Sequence, residues 1–160
     1  MAYQKLQAGE ALAILTSDTI RVPNPAAIAN TGTAAAPTGA QLVGTGTTFT
    51  ESVNVGDIVY AGVSGAARTI VATVDAVVSD TVLTTSTAIT TAYTYTIYSQ
   101  ANNPSNGCVL YVGGAGDVKV KMAGGNDVVF AGATAGSFLP INVLQVFATD
   151  TTATNIVALW

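Results

Sequence analysis

The sequence predicts an all-β fold: a small β-sandwich built from the N-terminal segment and the C-terminal strands, with a small SH3-like β-barrel inserted between them. Three observations predict it. β-branched residues dominate and helix signals are nearly absent, with Thr the most frequent polar residue, as fits a pleated, half-exposed surface. Turns bounded by Gly and Asp recur about every eight to twelve residues, the spacing of a sandwich or barrel. A low-complexity stretch at 26–40 and a polar break at 99–107 (SQANNPSNG) divide the 160 residues into a discontinuous sandwich lobe, 1–25 with 100–160, and a barrel lobe, 41–99.

The first segment offers one short strand around Ala11–Leu15. Ser17-Asp18-Thr19 reads as a turn, because Ser and Asp side chains bond backbone groups a few residues on. Pro23 and Pro25 impose extended geometry and stop any helix. Residues 26–40 (AAIANTGTAAAPTGA) read as a linker or extended arm, with a short helix over Ala26–Asn30 as the weaker alternative. Thr45–Phe49 opens the barrel module, and Val55-Gly56-Asp57 turns into the strand Ile58–Tyr60. Gly62–Gly65 turns again, Arg68–Val74 is a long strand, and Val78–Leu83 supplies a turn and a further strand. Tyr93–Tyr98 alternates strictly between two faces. Five short strands this closely spaced imply an SH3-like barrel, and its Asp residues sit in turns, where side-chain-to-backbone bonding accounts for them.

Beyond the polar break, Cys108–Val112 reads as a buried strand and Gly113–Gly116 as a tight turn. Asp117–Met122 alternates charge with apolar residue, so Val118, Val120 and Met122 point inward and the charges outward. Gly124-Gly125-Asn126 turns into Asp127–Phe130. Gly132–Gly136 and Pro140 delimit loops, Val143–Ala148 is a strand, Thr149–Asn155 a polar loop, and Ile156–Trp160 the last strand. Such strand–turn–strand units suit a sandwich or meander.

Composition narrows the function classes. Charged residues are 9% of the chain, against roughly 25% in ordinary soluble domains. A monomer of this size exposes roughly 7,400 Å², so five basic and nine acidic side chains leave wide uncharged areas, as expected where much of the surface meets other protein. A net charge of −4 and scattered Lys5, Arg21, Arg68, Lys119 and Lys121 argue against nucleic acid, which needs clustered cations. There is no His, which removes the commonest general base and metal ligand. Cys108 stands alone and has no activating neighbour, so it reads as a small buried apolar residue. No export signal is visible, and no stretch approaches the length of a membrane helix.

No constellation carries catalysis, and no catalytic, cofactor-binding or metal-ligating residue is assigned. Gly113-Gly114-Ala115-Gly116 is followed by an alternating strand rather than the helix a phosphate cradle requires. Asp117 and Asp127 flank one hairpin, but Lys119 and Lys121 would hold both ionised. Asn102-Asn103 with Ser105-Asn106, and Thr149-Asp150-Thr151, are too poor in carboxylates for calcium. A Ser nucleophile lacks a His partner. Tyr93, Tyr95 and Tyr98 could line a sugar-binding face, but core packing is the stronger reading.

The last third carries a resemblance. Leu110-Tyr111-Val112-Gly113-Gly114-Ala115-Gly116-Asp117-Val118-Lys119-Val120 and Ala123-Gly124-Gly125-Asn126-Asp127-Val128-Val129-Phe130 are followed by Gly132, Ala135-Gly136 and Leu139-Pro140. Val146-Phe147-Ala148-Thr149 and Thr152–Trp160 complete the set. Together these resemble a family of small virion proteins of tailed phages and gene-transfer agents, some of them head-spike base proteins. Ala11–Leu15, Ser17-Asp18-Thr19 and Pro23 resemble that family's opening. Residues from about Ala26 to Gln100 depart from its pattern and read as an insertion.

The resemblance implies a non-enzymatic virion protein without cofactor, β-rich and assembled in the host cytoplasm. We expect a cement or decoration component that binds the major capsid protein as a homo-oligomer, dimer or trimer, and contacts neither nucleic acid nor membrane. A head-spike or tail-associated base anchoring a host-binding fibre, and a carbohydrate-binding module, are the alternatives. Expected partner contacts are Tyr3 and Leu6 in the N-terminal segment, Ile28 in the arm, Trp160 at the end of the chain, and open strand edges.

Overall fold

The computed structural model describes residues 8–25, 28–35, 39–63, 68–89, 93–100 and 107–160. In chain order the elements are β1 (Ala11–Ala13), β2 (Ile28–Ala35), β3 (Gln41–Gly44), α1 (Phe49–Ser52), β4 (Ile58–Val63), β5 (Ile70–Ser79) and β6 (Val82–Thr85). β7 (Tyr93–Tyr98), β8 (Cys108–Gly114), β9 (Gly116–Met122), β10 (Asp127–Ala133), β11 (Ser137–Val146) and β12 (Thr154–Leu159) follow. The fold is all-β. The chain divides into two units, Met1–Pro25 with Pro104–Trp160, and Ala26–Asn103.

The first unit is an antiparallel sheet in the order β1-β12-β8-β11-β9-β10. Alternation decides which side chains go inward: Cys108, Leu110 and Val112 from β8, Val118 and Val120 from β9, and Ile156 and Ala158 from β12 are buried in one cluster with Ile14, Val22, Val143 and Val146. A single cluster drawn from strands this far apart in the sheet requires the sheet to fold over itself, which is how it makes a sandwich. β11 makes the corner. Its first half pairs with β8, its second half with β9, and the register shifts between Leu139 and Val143. Pro140, expected in a loop, lies in that shifted stretch of β11, where a missing ladder donor is tolerated.

Gly113–Gly116, read as a tight turn, does not join neighbouring strands. β8 and β9 are not neighbours, because β11 lies between them, so the glycines carry the chain around the corner. They do so pressed against 152–155: a Cβ on Gly113 would lie 2.7 Å from the Asn155 carbonyl oxygen, and one on Gly116 would lie 2.4 Å from the Ala153 nitrogen.

The second unit is a closed barrel in the order β2-β3-β6-β5-β4-β7. β4, β5 and β6 form a meander and β7 returns beside β4, a Greek key. Leu42, Phe49, Val59, Ala61, Ala72, Val74, Leu83, Ile89, Tyr95 and Ile97 fill it, and full burial of such a Leu, Ile or Phe contributes about 1.5–3 kcal/mol. Five strands were expected and six close the barrel. Thr45–Phe49, the first of the five, is instead the connection into α1; β3 precedes it, and β2 is drawn from the stretch read as linker or arm. β2 pairs with β7 from Ile28 to Ala34 and with β3 at Ala34 and Ala35. Gly32 opposes Tyr95, and the Tyr95 ring occupies the space where a Gly32 side chain would lie. An aromatic covering a strand glycine in this way compensates its missing contacts. The Tyr95 hydroxyl has no hydrogen-bond partner among the described residues.

Candidate interaction surfaces

The expected contact residues divide as follows. Tyr3 and Leu6 lie outside the described residues. Ile28 belongs to a barrel strand, its backbone paired with Tyr98. Trp160 is half-buried and packs against the sandwich core. Its N–H donates to the Glu10 carbonyl at 3.1 Å and its own carbonyl accepts the Gly9 N–H at 2.6 Å, so the last residue fastens the first described segment. Tyr95 is 1% exposed inside the barrel, edge-on to Phe49. Tyr98 is buried edge-on to Tyr60. Neither ring offers a face to a sugar, and the side chain of Tyr93 lies outside the described residues.

Several charged groups of the sandwich satisfy one another or the backbone. Lys121 pairs with Asp127 at 2.8 Å, as its proximity in sequence suggested. Lys119 pairs with Asp150, also at 2.8 Å, rather than with Asp117. Both ammonium groups lie over the Phe147 ring, 5.4 and 5.8 Å from its centroid. Asp117 accepts the Gly132 N–H at 2.7 Å. Among the described residues no group of three or more His, Cys, Asp or Glu could hold a metal ion, and no helix is long and apolar enough to cross a membrane. Cys108 is buried, its S–H donating to the Val143 carbonyl at 3.4 Å, and burial pushes its thiol up to about 12.

Asp18 ties the first segment to the loop before β12. Its carboxyl accepts the Thr149 N–H at 2.9 Å and the Thr149 hydroxyl at 2.8 Å, and these bonds hold its pKa below the ordinary 3.8. A pKa depressed in the folded state stabilises the fold above the unfolded value and ceases to as pH falls through the folded one. Asp18→Ala is therefore expected to lower the urea midpoint at about pH 6, with the difference from the unsubstituted protein shrinking below about pH 3. Parallel denaturation curves at the two pH values check this.

One stretch of the sandwich surface is apolar. On the outward face of the sandwich sheet, Ala13 opposes Val157, Val157 opposes Tyr111, and Tyr111 opposes Phe138. In a second row Ala11 opposes Leu159 and Leu159 opposes Val109. Directly opposed residues share a face, so these rows form one uncharged patch across β1, β12, β8 and β11. The Tyr111 and Phe138 rings lie 5.2 Å apart, and Phe138 is 53% exposed. Residue-by-residue reasoning misses this patch: Cys108–Val112 reads as a buried strand and Ile156–Trp160 only as the last strand, and their pairing alone shows which members face out. Comparison with known proteins gives no match of any kind: no family model, no curated protein and no solved structure.

Proposed function

We propose that the protein is a non-enzymatic structural component of a tailed-phage virion, a cement or decoration protein that seats on the major capsid protein and stabilises the head. One observation carries the reading: the uncharged patch centred on Tyr111 and Phe138, on a chain with only 9% charged residues. Exposed contiguous apolar surface marks sites of protein association. The resemblance of residues 108–160 to small virion proteins supplies the setting. Repeated seating on a symmetric shell turns modest contacts into lasting attachment.

The test is thermal release of DNA from particles lacking the protein, with purified protein added back. The unsubstituted protein is expected to raise the release temperature. Phe138→Glu, which places a charge at an exposed position, is expected to fold and to bind the shell at least about tenfold more weakly. Equal release temperatures with and without the protein would overturn the reading. Copy number separates the cement role from a spike base, which occupies far fewer sites on a particle.

A further inference from the structure

β10 ends the sandwich sheet and pairs only with β9 among the described residues. Proteins blunt such edges with charge, proline or very short strands. β1, at the opposite edge, is three residues long and follows Glu10. β10 is seven residues long, and its stretch Val128-Val129-Phe130-Ala131 has neither charge nor proline. Val128 is 38% and Val129 47% exposed. The one charge on the strand, Asp127, is matched by Lys121 on β9.

The phase of the β9–β10 ladder fixes which backbone groups face outward. The Met122 N–H donates to the Asn126 carbonyl, so that position is a hydrogen-bonded pair and the pairs alternate from there. Asp127 opposite Lys121, and Val129 opposite Lys119, fall at the non-bonded positions. Their own N–H and C=O groups therefore point away from β9 into the open edge, while Val128 and Phe130 bond to β9.

We propose that this edge pairs antiparallel with β10 of a second copy of the chain, about a two-fold axis at Val129. Under that axis the two Val129 residues exchange hydrogen bonds, Val128 of each copy meets Phe130 of the other, and Asp127 meets Ala131. Every pair is compatible, and no carboxylate faces another. A parallel, in-register pairing would instead set Asp127 beside Asp127. A stretch that complements itself so fully fits a second copy better than an unrelated strand, because a two-fold contact uses the same patch on both sides. The register shift between Phe130 and Ala133, with Gly132 at φ 65°, bends the strand after Ala131 and ends the pairing there. The proposal rests on the shell-binding reading for its setting alone, and it names the contact that would make the protein oligomeric.

Light-scattering mass of the full chain at micromolar concentration tests it. The unsubstituted protein is expected to be a dimer. Val129→Pro removes an outward N–H that β9 does not use, at a position where an edge strand accepts proline, and is expected to give a folded monomer. Val129→Thr keeps the N–H and should remain dimeric. Val129→Lys sets two like charges opposite each other and should weaken the dimer about tenfold or more. Circular dichroism checks that each variant folds. A monomeric or trimeric unsubstituted protein, or a dimer indifferent to both Val129→Pro and Val129→Lys, would overturn the proposal. So would a monomer whose attachment to phage particles is lost in Val129→Pro, because the edge would then serve a strand of the shell protein. A Val129→Pro-sensitive dimer that never enters particles would uphold the edge contact while removing the shell-binding role.

Discussion

Gly116→Ala is expected to destabilise the sandwich unit by about 4 kcal/mol or more, the far tail of single-substitution effects. Two costs coincide. Gly116 has φ 154°, in a region side-chain-bearing residues rarely adopt. Its added Cβ would also lie 2.4 Å from the Ala153 nitrogen and 2.7 Å from the Thr152 carbonyl carbon. These are backbone atoms with nowhere to go, because Thr152 and Ala153 both donate to the Asp117 carbonyl, at 2.9 and 3.1 Å, and the Thr152 hydroxyl accepts the Asp117 N–H at 2.8 Å. Relief of the clash would break the bonds that hold the loop before β12 to the start of β9. Gly124→Ala is the control. A Cβ there meets nothing within 4 Å, so its stability should stay within about 0.5 kcal/mol of the parent. The chain has one Trp, Trp160, and it packs on the sandwich core. Its fluorescence on heating therefore reports this unit, and coincident curves for Gly116→Ala and the parent would refute the account.

The parts legible in the sequence are those where one local signal suffices. Asp117–Met122 alternates charged and apolar residues, so β9 and its inward Val118 and Val120 follow directly. Tyr93–Tyr98 alternates as strictly and is β7. β2 is illegible because only Ile28, Thr31 and Thr33 of its eight residues prefer a strand, and the Ala, Asn and Gly between them do not: it is made into a strand by bonds to β7 and β3 and by the ring of Tyr95 over Gly32. Propensity yields to such non-local pairing. β11 misleads for the opposite reason. Pro140 is a strong local stop signal, yet the register shift at the corner of the sheet leaves no ladder bond for it to break. The apolar patch is hidden for a third reason. A strand buried on both faces and a strand bearing an outward apolar row read alike, and Tyr111 and Phe138 are separable from Leu110 and Leu139 only through the β8–β11 register.

Asp57→Ala should be the most damaging polar substitution in the barrel, at about 2–5 kcal/mol. Asp57 is 1% exposed. One carboxyl oxygen accepts the Asn54 N–H at 2.9 Å and the other accepts the Gln100 N–H at 2.9 Å. The first is the local turn bond expected of an Asp after Val55-Gly56. The second reaches the residue just past β7. Since β4 begins at Ile58 and pairs with β7, with Ile58 opposite Tyr98, the one side chain fastens the end of that seam. The backbone adds to the junction: the Asp57 carbonyl accepts the Val74 N–H from β5 at 2.8 Å. Alanine removes the acceptor used by two N–H groups where water has little access, and each such loss costs about 1–3 kcal/mol. The amide introduced by Asp57→Asn would keep one acceptor and turn an N–H toward the other donor, so its cost should fall between those of Asp57→Ala and the parent. Amide exchange separates this from a general loss of stability. Asn54, Val74 and Gln100 should lose protection first in Asp57→Ala, while Val118 and Val120 of the sandwich keep theirs. Equal loss in both units would show that the side chain does not act at the seam.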